Sequence, residues 1–109
     1  MTSTFPDFAR EQLARALPIT SRKMFGALGV YSRGLFFAIV TKDAVYFRVD
    51  DATRPAYEAR GSGPFDPYGD GRVMASSYRV PDDVLEDVDE LRRWAEASVA
   101  AAARKKRGG

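Results

Sequence analysis

The stretch Gly34-Leu35-Phe36-Phe37-Ala38-Ile39-Val40-Thr41-Lys42-Asp43-Ala44-Val45-Tyr46-Phe47-Arg48-Val49 decides how this chain folds. Its first half, Leu35 to Val40, is an apolar run of strand length opened by a glycine. Its second half alternates. Val45, Phe47 and Val49 fall on one side and Tyr46 and Arg48 on the other, the period of a half-buried strand. Between them Lys42-Asp43 leaves room only for a tight turn. A parallel pair would need a crossover of about a dozen residues or more, so these strands run antiparallel.

Toward the N-terminus the pattern stays extended and then becomes helical. Arg22-Lys23-Met24-Phe25 is a short strand candidate running into Gly26, and Val30-Tyr31 follows Gly29 as another short piece. Phe5 to Leu17 reads as a helix, with Phe5, Ala9, Leu13 and Ala16 at near-helical spacing. Thr4 or Ser3 can cap it, Pro6 suits its first turn and Pro18 ends it.

Toward the C-terminus, Asp50-Asp51-Ala52-Thr53 supplies cap candidates for a short helix that Gly61 terminates, with Pro55 confined to its first turn. Phe65 to Tyr68 and Arg72 to Val80 flank Gly69-Asp70-Gly71, a hairpin signal, and Pro67 confines the first of the two strands to an edge. Pro81 ends the sheet, and Asp82 to Glu86 is a turn or one helical turn. Asp87 and Glu90 then fit a capping box ahead of a long helix. Its stripe is Val84, Val88, Leu91, Ala95, Val99 and Ala102, with Trp94 at the stripe's edge. The expectation is an α+β fold in the order α-β-β-β-α-β-β-α: two layers, an antiparallel sheet with helices on one face.

Composition bounds the chemistry. At 109 residues and 45% apolar content the chain makes one globular domain, residues 1–103, followed by a basic, flexible tail at 104–109. No apolar run approaches the roughly 20 residues of a membrane span. The N-terminal residues lack the apolar core of a secretory signal, so a cytoplasmic protein is expected. There is no cysteine and no histidine. Disulfides, thiol nucleophiles, thiolate or imidazole metal sites and a histidine base are therefore excluded, and no catalytic residues, metal or other cofactor are assigned. What remains for an enzyme is carboxylate, hydroxyl, tyrosine or lysine chemistry. The formal charge is +2, but Arg104-Lys105-Lys106-Arg107 supplies four of the 17 basic residues; the other 13 face 15 acidic ones, leaving residues 1–103 at −2.

Glycines 26, 29 and 34 match neither phosphate-loop pattern and read as turn glycines. The acidic group Asp82, Asp83, Glu86, Asp87, Asp89 and Glu90 lacks the alternation of a calcium loop and suits the start of a helix. Asp50-Asp51 reads as a helix cap before it reads as a catalytic pair. Arg104, Lys105, Lys106 and Arg107 form a weak, sequence-independent nucleic-acid contact on one reading. On the other they are charges favoured at a helix C-terminus, and the sequence shows no second basic patch or interleaved aromatics beside them. A more specific site follows from the strands. If Val45, Phe47 and Val49 with Met74, Tyr78 and Val80 face the helices, then Tyr46, Arg48, Ser77 and Arg79 share the open face. That set suits an anionic ligand or an acidic protein partner.

The ordered segments Met24-Phe25-Gly26, Leu28-Gly29-Val30-Tyr31, Gly34-Leu35-Phe36-Phe37-Ala38, Val45 to Asp51, Arg54-Pro55, Tyr57, Gly61, Pro64-Phe65, Ser77-Tyr78-Arg79-Val80-Pro81 and Leu91-Arg92-Arg93-Trp94-Ala95 resemble the N-terminal domain of TfoX/Sxy competence regulators. The resemblance runs from about Phe5 to Ala103 and rests on the series, no single motif being diagnostic. It implies a secretion-chaperone-like αβ fold and a role in transcription of competence genes alongside the cyclic-AMP receptor protein. The C-terminal domain of the full-length regulators has no counterpart in these residues. The resemblance brings no catalytic residues. The leading expectation is thus a non-enzymatic regulatory module with a protein partner, the transcription machinery among the candidates. Weak nucleic-acid contact, a small anionic ligand and a carboxylate- or tyrosine-based enzyme are the alternatives, and exposed strand edges leave a homodimer open.

Overall fold

The strand pair at the centre of the sequence is the centre of the fold in a computed structural model of the chain, which describes residues 4–24, 26–67 and 69–108. β3 (Leu35–Val40) and β4 (Val45–Arg48) pair antiparallel, Ala38 opposite Phe47 and Val40 opposite Val45, around the Lys42-Asp43 turn. The Thr41 hydroxyl closes that turn, accepting from the Ala44 N–H at 3.0 Å. β1 (Thr20–Met24) and β2 (Ala27–Ser32) add a full hairpin on the β3 side. On the β4 side lie β6 (Met74–Arg79) and then β5 (Pro64–Phe65), giving the order β1-β2-β3-β4-β6-β5 with every neighbour antiparallel.

The sheet therefore has four strands before its interrupting helix, where the sequence pattern gave an order with three. The two short pieces read at 22–25 and 30–31 are parts of one hairpin, whose polar edge strand and central glycine hide its length. Phe25 of the first piece lies outside the described residues. β2 and β3 are joined by Arg33 and Gly34, both at positive φ (53° and 77°), as the two-residue hairpin turn matching strand twist requires. The 65–80 hairpin also differs. Its pairing is short, and its wide loop is gathered by Asp66, whose carboxylate accepts from the N–H groups of Gly69 (2.8 Å) and Gly71 (3.1 Å). Tyr68, read as strand, lies outside the described residues, and Pro67 follows an edge strand as expected.

One irregularity governs the sheet's two faces. Val30 pairs with Ala38 but Tyr31 pairs with Phe36, so Phe37 is the extra residue of a β-bulge. The bulge turns Phe37 to the helix side, where its ring meets that of Phe47 at 5.5 Å. Phe36 is turned to the opposite side beside Tyr31, at 5.2 Å.

The helices cover the face bearing Val30, Phe37, Val45 and Phe47. α1 (Phe5–Ala16) starts at Thr4, which accepts from the Asp7 N–H, with Pro6 in the first turn; Ser3, the other cap candidate, lies outside the described residues. α2 (Arg54–Glu58) buries Tyr57 against Trp94, and Gly61 follows it at φ 76°. α3 (Asp82–Glu86) is a single short helix, and α4 (Val88–Gly108) lays Leu91, Ala95, Val99 and Ala102 into the core. Asp87 caps α4 by accepting from the N–H groups of Asp89 and Glu90, but Glu90 does not reach back; it pairs with Arg93 at 2.7 Å. Residues 104–108, set apart in the sequence as a tail, continue this helix. Three buried polar side chains tie neighbouring elements together. Gln12 Nε2 donates to the Leu85 carbonyl (2.9 Å), the Ser32 hydroxyl to that of Pro18 (2.7 Å), and the Ser98 hydroxyl lies 2.9–3.0 Å from those of Phe37 and Arg48.

Candidate functional site

Alternation along β4 and β6 carries four side chains to the sheet face opposite the helices. Tyr46 pairs with Arg79 and Arg48 with Ser77, so Tyr46, Arg48, Ser77 and Arg79 stand as two adjacent cross-strand pairs. Tyr78 and Val80 face the helices as read, since both are buried in the core. Met74 does not. It is 42% exposed, because the register shifts where β6 begins beside Phe65 and the helix layer no longer covers it.

The open face is far more apolar than those four residues suggest. Tyr46 packs on Phe65 with ring centroids 4.6 Å apart. Ile39, between Gly29 and Tyr46 in the cross-strand row, is 6% exposed although no helix lies over it. Gly29 explains part of this closure. A Cβ there would stand 2.8 Å from Met24 Sδ and 3.2 Å from the Phe36 ring, so the glycine lets those two side chains close over the sheet. Arg48 lies along this surface, its guanidinium 5.9 Å from the Phe36 ring centre and its Nε donating to the Phe36 carbonyl at 3.3 Å. Arg79 reaches the other way, to Asp82 at 3.5 Å. The sequence missed Tyr31, Phe36 and Phe65 as partly exposed residues of this face and Ile39 as one buried on it. Only the bulge, invisible in an unbroken apolar run, assigns Phe36 and Phe37 to opposite faces.

The basic segment joins this surface from the side. Arg104 is held to Asp50, with Nε and a terminal nitrogen 2.7 and 2.6 Å from Oδ2, which fixes the last turns of α4 beside the end of β4. A groove of about 240 Å³ then opens between α4 and the sheet, with Tyr31, Phe36, Arg48, Ala102, Lys105 and Lys106 among its walls. Two features that looked unrelated in the sequence, the strand arginine and the terminal lysines, meet here. Arg107 is exposed and is not part of the wall.

Asp50 is structural. Its carboxylate accepts from the N–H groups of Ala52 and Thr53 and from the Thr53 hydroxyl as well as from Arg104. Partial burial pushes its pKa up, but the bonds from Arg104 and Thr53 together outweigh that and hold it below the ordinary 3.8. A carboxylate depressed in the folded state stabilises the fold above its unfolded pKa, and that contribution is lost as pH falls through the folded value. Asp50→Asn should therefore lower the melting temperature at pH 7, and the gap to the unmodified protein should close below about pH 4, as circular dichroism melts across pH 3–7 will show. A gap of constant size would mean that Asp50 acts without its charge.

Several of the other carboxylates are taken up in single ion pairs. Asp51 holds Arg54, Asp83 holds Arg60 and Asp89 holds Arg92. Among the described residues no group of three or more Asp or Glu side chains converges on a possible metal position. Burial pushes the phenol of Tyr57 well up, and burial together with the Glu58 carboxylate pushes up that of Tyr78. Both move away from neutral pH, so neither supplies a phenolate base there.

The sequence profile of the TfoX N-terminal domain matches residues 11–102, which include every strand and α2 and α3. The chain belongs to the TfoX N-terminal domain family. No curated protein matches it significantly. Membership in the TfoX family points to a regulatory role, and the domain is not known as a catalytic one. The match takes in Tyr46, Arg48, Ser77 and Arg79 but stops before Arg104, so the basic end of α4 lies beyond the region that defines the family. Among the described residues no helix is long and apolar enough to cross a membrane.

Proposed function

We propose that this TfoX-type domain is a non-enzymatic regulatory module that works by binding a protein partner on its open sheet face. The reading rests on one observation: the face that no helix covers carries the partly exposed Tyr46–Phe65 ring pair beside the arginines Arg48 and Arg79, where a purely solvated sheet face would be polar. Aromatic rings flanked by arginines are the composition of interface hot spots, and Arg48 favours a partner surface with acidic residues, while Arg79 shares its charge with Asp82. The family's association with competence regulation makes the cytoplasmic transcription apparatus the partner class this reading favours.

Site-specific photo-crosslinking in native lysate tests it. A crosslinker at Tyr46 should capture a protein that a crosslinker at Ala97, exposed on α4, does not. Capture at position 46 should disappear when Arg48 and Arg79 are both replaced by Glu. Identical products at the two positions, or capture that survives the double replacement, refute the reading. A product of twice the chain's mass identifies the partner as a second copy instead.

A further inference from the structure

The groove between α4 and the sheet differs from the rest of the charged surface. Nine arginines lie within 3.5 Å of a carboxylate, which neutralises them in place. Arg48, Lys105 and Lys106 are among the basic residues with no such partner among the described residues, and what sets them apart is that they share one groove that no carboxylate lines. Arg48 uses Nε on the Phe36 carbonyl and leaves its terminal nitrogens for another acceptor. Beside these cations the groove is also lined by the partly buried aromatic residues Tyr31 and Phe36, with Arg48 lying against the Phe36 ring. A larger groove, about 550 Å³ between the start of α1 and the β1–β2 hairpin, also carries Lys23 and Lys42, unpaired among the described residues, but the Asp7 carboxylate lines it beside Arg10 and no aromatic ring is among its described lining residues.

We propose that the Arg48–Lys105–Lys106 groove binds single-stranded nucleic acid, a phosphate lying among the three cations and a base against Tyr31 and Phe36. Cations beside aromatic rings are the combination that holds unpaired strands, because the charges follow the backbone while any base can stack. The volume sets the ligand's extent. About 240 Å³ is below the roughly 300–1,000 Å³ of sites that enclose a free small molecule, so a ligand held here extends beyond the groove, as a nucleic-acid strand would. The charge balance sets the form. Residues 1–103 carry 13 basic and 15 acidic side chains, which offers no broad basic surface for a duplex. An acidic peptide would use the cations but not the rings. The site goes beyond the protein contact proposed above and shares only Arg48 with it.

Fluorescence anisotropy with the full chain and a labelled thymidine 12-mer at low salt tests the proposal. Binding should weaken as salt rises, and in Lys105→Gln/Lys106→Gln the slope of log affinity against log salt should fall by about 0.7, the value for the one phosphate contact. Tyr31→Leu should weaken binding by roughly five- to a hundred-fold with the slope unchanged, since it removes stacking and no charge. Failure to bind the 12-mer, or an unchanged slope in the double-lysine variant, overturns the proposal. So does tighter binding of a labelled glutamate 12-mer, which would make the groove a peptide site. Equal affinity for a 12-base-pair duplex, or competition by thymidine monophosphate at the concentration of the oligomer, overturns it too.

Discussion

Phe47→Ala should come close to unfolding this domain. Phe47 is fully buried at the middle of the sheet, its ring 5.5 Å from that of Phe37, under the helix layer. Truncating such a side chain costs about 3–5 kcal/mol, the transfer of the ring plus the cavity left behind. A domain of this size holds only about 5–15 kcal/mol in total, so the loss is a large share of what keeps it folded. At about 4–8 °C per kcal/mol the melting midpoint should fall by more than about 12 °C. Tyr46→Ala, one residue away, provides the contrast, because Tyr46 lies on the uncovered face and its removal should cost about 1 kcal/mol. Urea unfolding of the two variants measures both numbers. Comparable losses would mean that the assignment of faces along β4 is wrong.

The same alternation shows why this part of the fold was readable. Val45, Phe47 and Val49 differ in polarity from Tyr46 and Arg48, so a period of two stands out and gives the buried face directly. The α4 stripe was readable for the same reason at the helical period. In Leu35 to Val40 no such contrast exists: six apolar residues in a row give the strand but not its faces. The bulge at Phe37 therefore had no signature, and with it went the aromatic half of the open surface. Met74 was misplaced by the converse error. Its parity with Tyr78 and Val80 puts it inward, but parity holds only while the register does, and the register shifts beside Phe65.

The candidate site was legible in halves. Local alternation was enough to put Tyr46, Arg48, Ser77 and Arg79 on one face, because cross-strand neighbours follow from pairing two strands. The meeting of Arg48 with Lys105 and Lys106 depends on where the far end of a 21-residue helix comes to rest. That position follows from the burial of Val99, Ala101 and Ala102 together with the Asp50–Arg104 pair across 54 residues of sequence, and neither residue of that pair advertises the contact. A basic run after an alanine-rich helix reads equally well as a frayed tail or as a continued helix. Only tertiary packing decides between them.

Ser98→Ala should be the costliest polar substitution, and it tests what holds α4 to the bulge. Ser98 is 1% exposed within Ala95-Glu96-Ala97-Ser98-Val99, where a serine gives little sign of its importance. Its hydroxyl lies 3.0 Å from the carbonyl of Phe37, the bulged residue, and 2.9 Å from that of Arg48 on the neighbouring strand. One hydroxyl proton serves one carbonyl at a time, so the group is shared between β3 and β4 just past the last pair of their ladder, Ala38 opposite Phe47. Alanine removes the donor and leaves desolvated carbonyls beneath the helix, at a cost of about 1–3 kcal/mol. Valine should be worse still, since it adds overpacking against the bulge to the same loss. The urea midpoint should drop for both variants with the slope of the transition unchanged, because the surface exposed on unfolding is the same. Amide exchange should speed up around Phe37 and Arg48 before it does in α1. A loss below about 0.5 kcal/mol for alanine, typical of an unremarkable surface site, would show that α4 is held to the sheet by its apolar stripe alone.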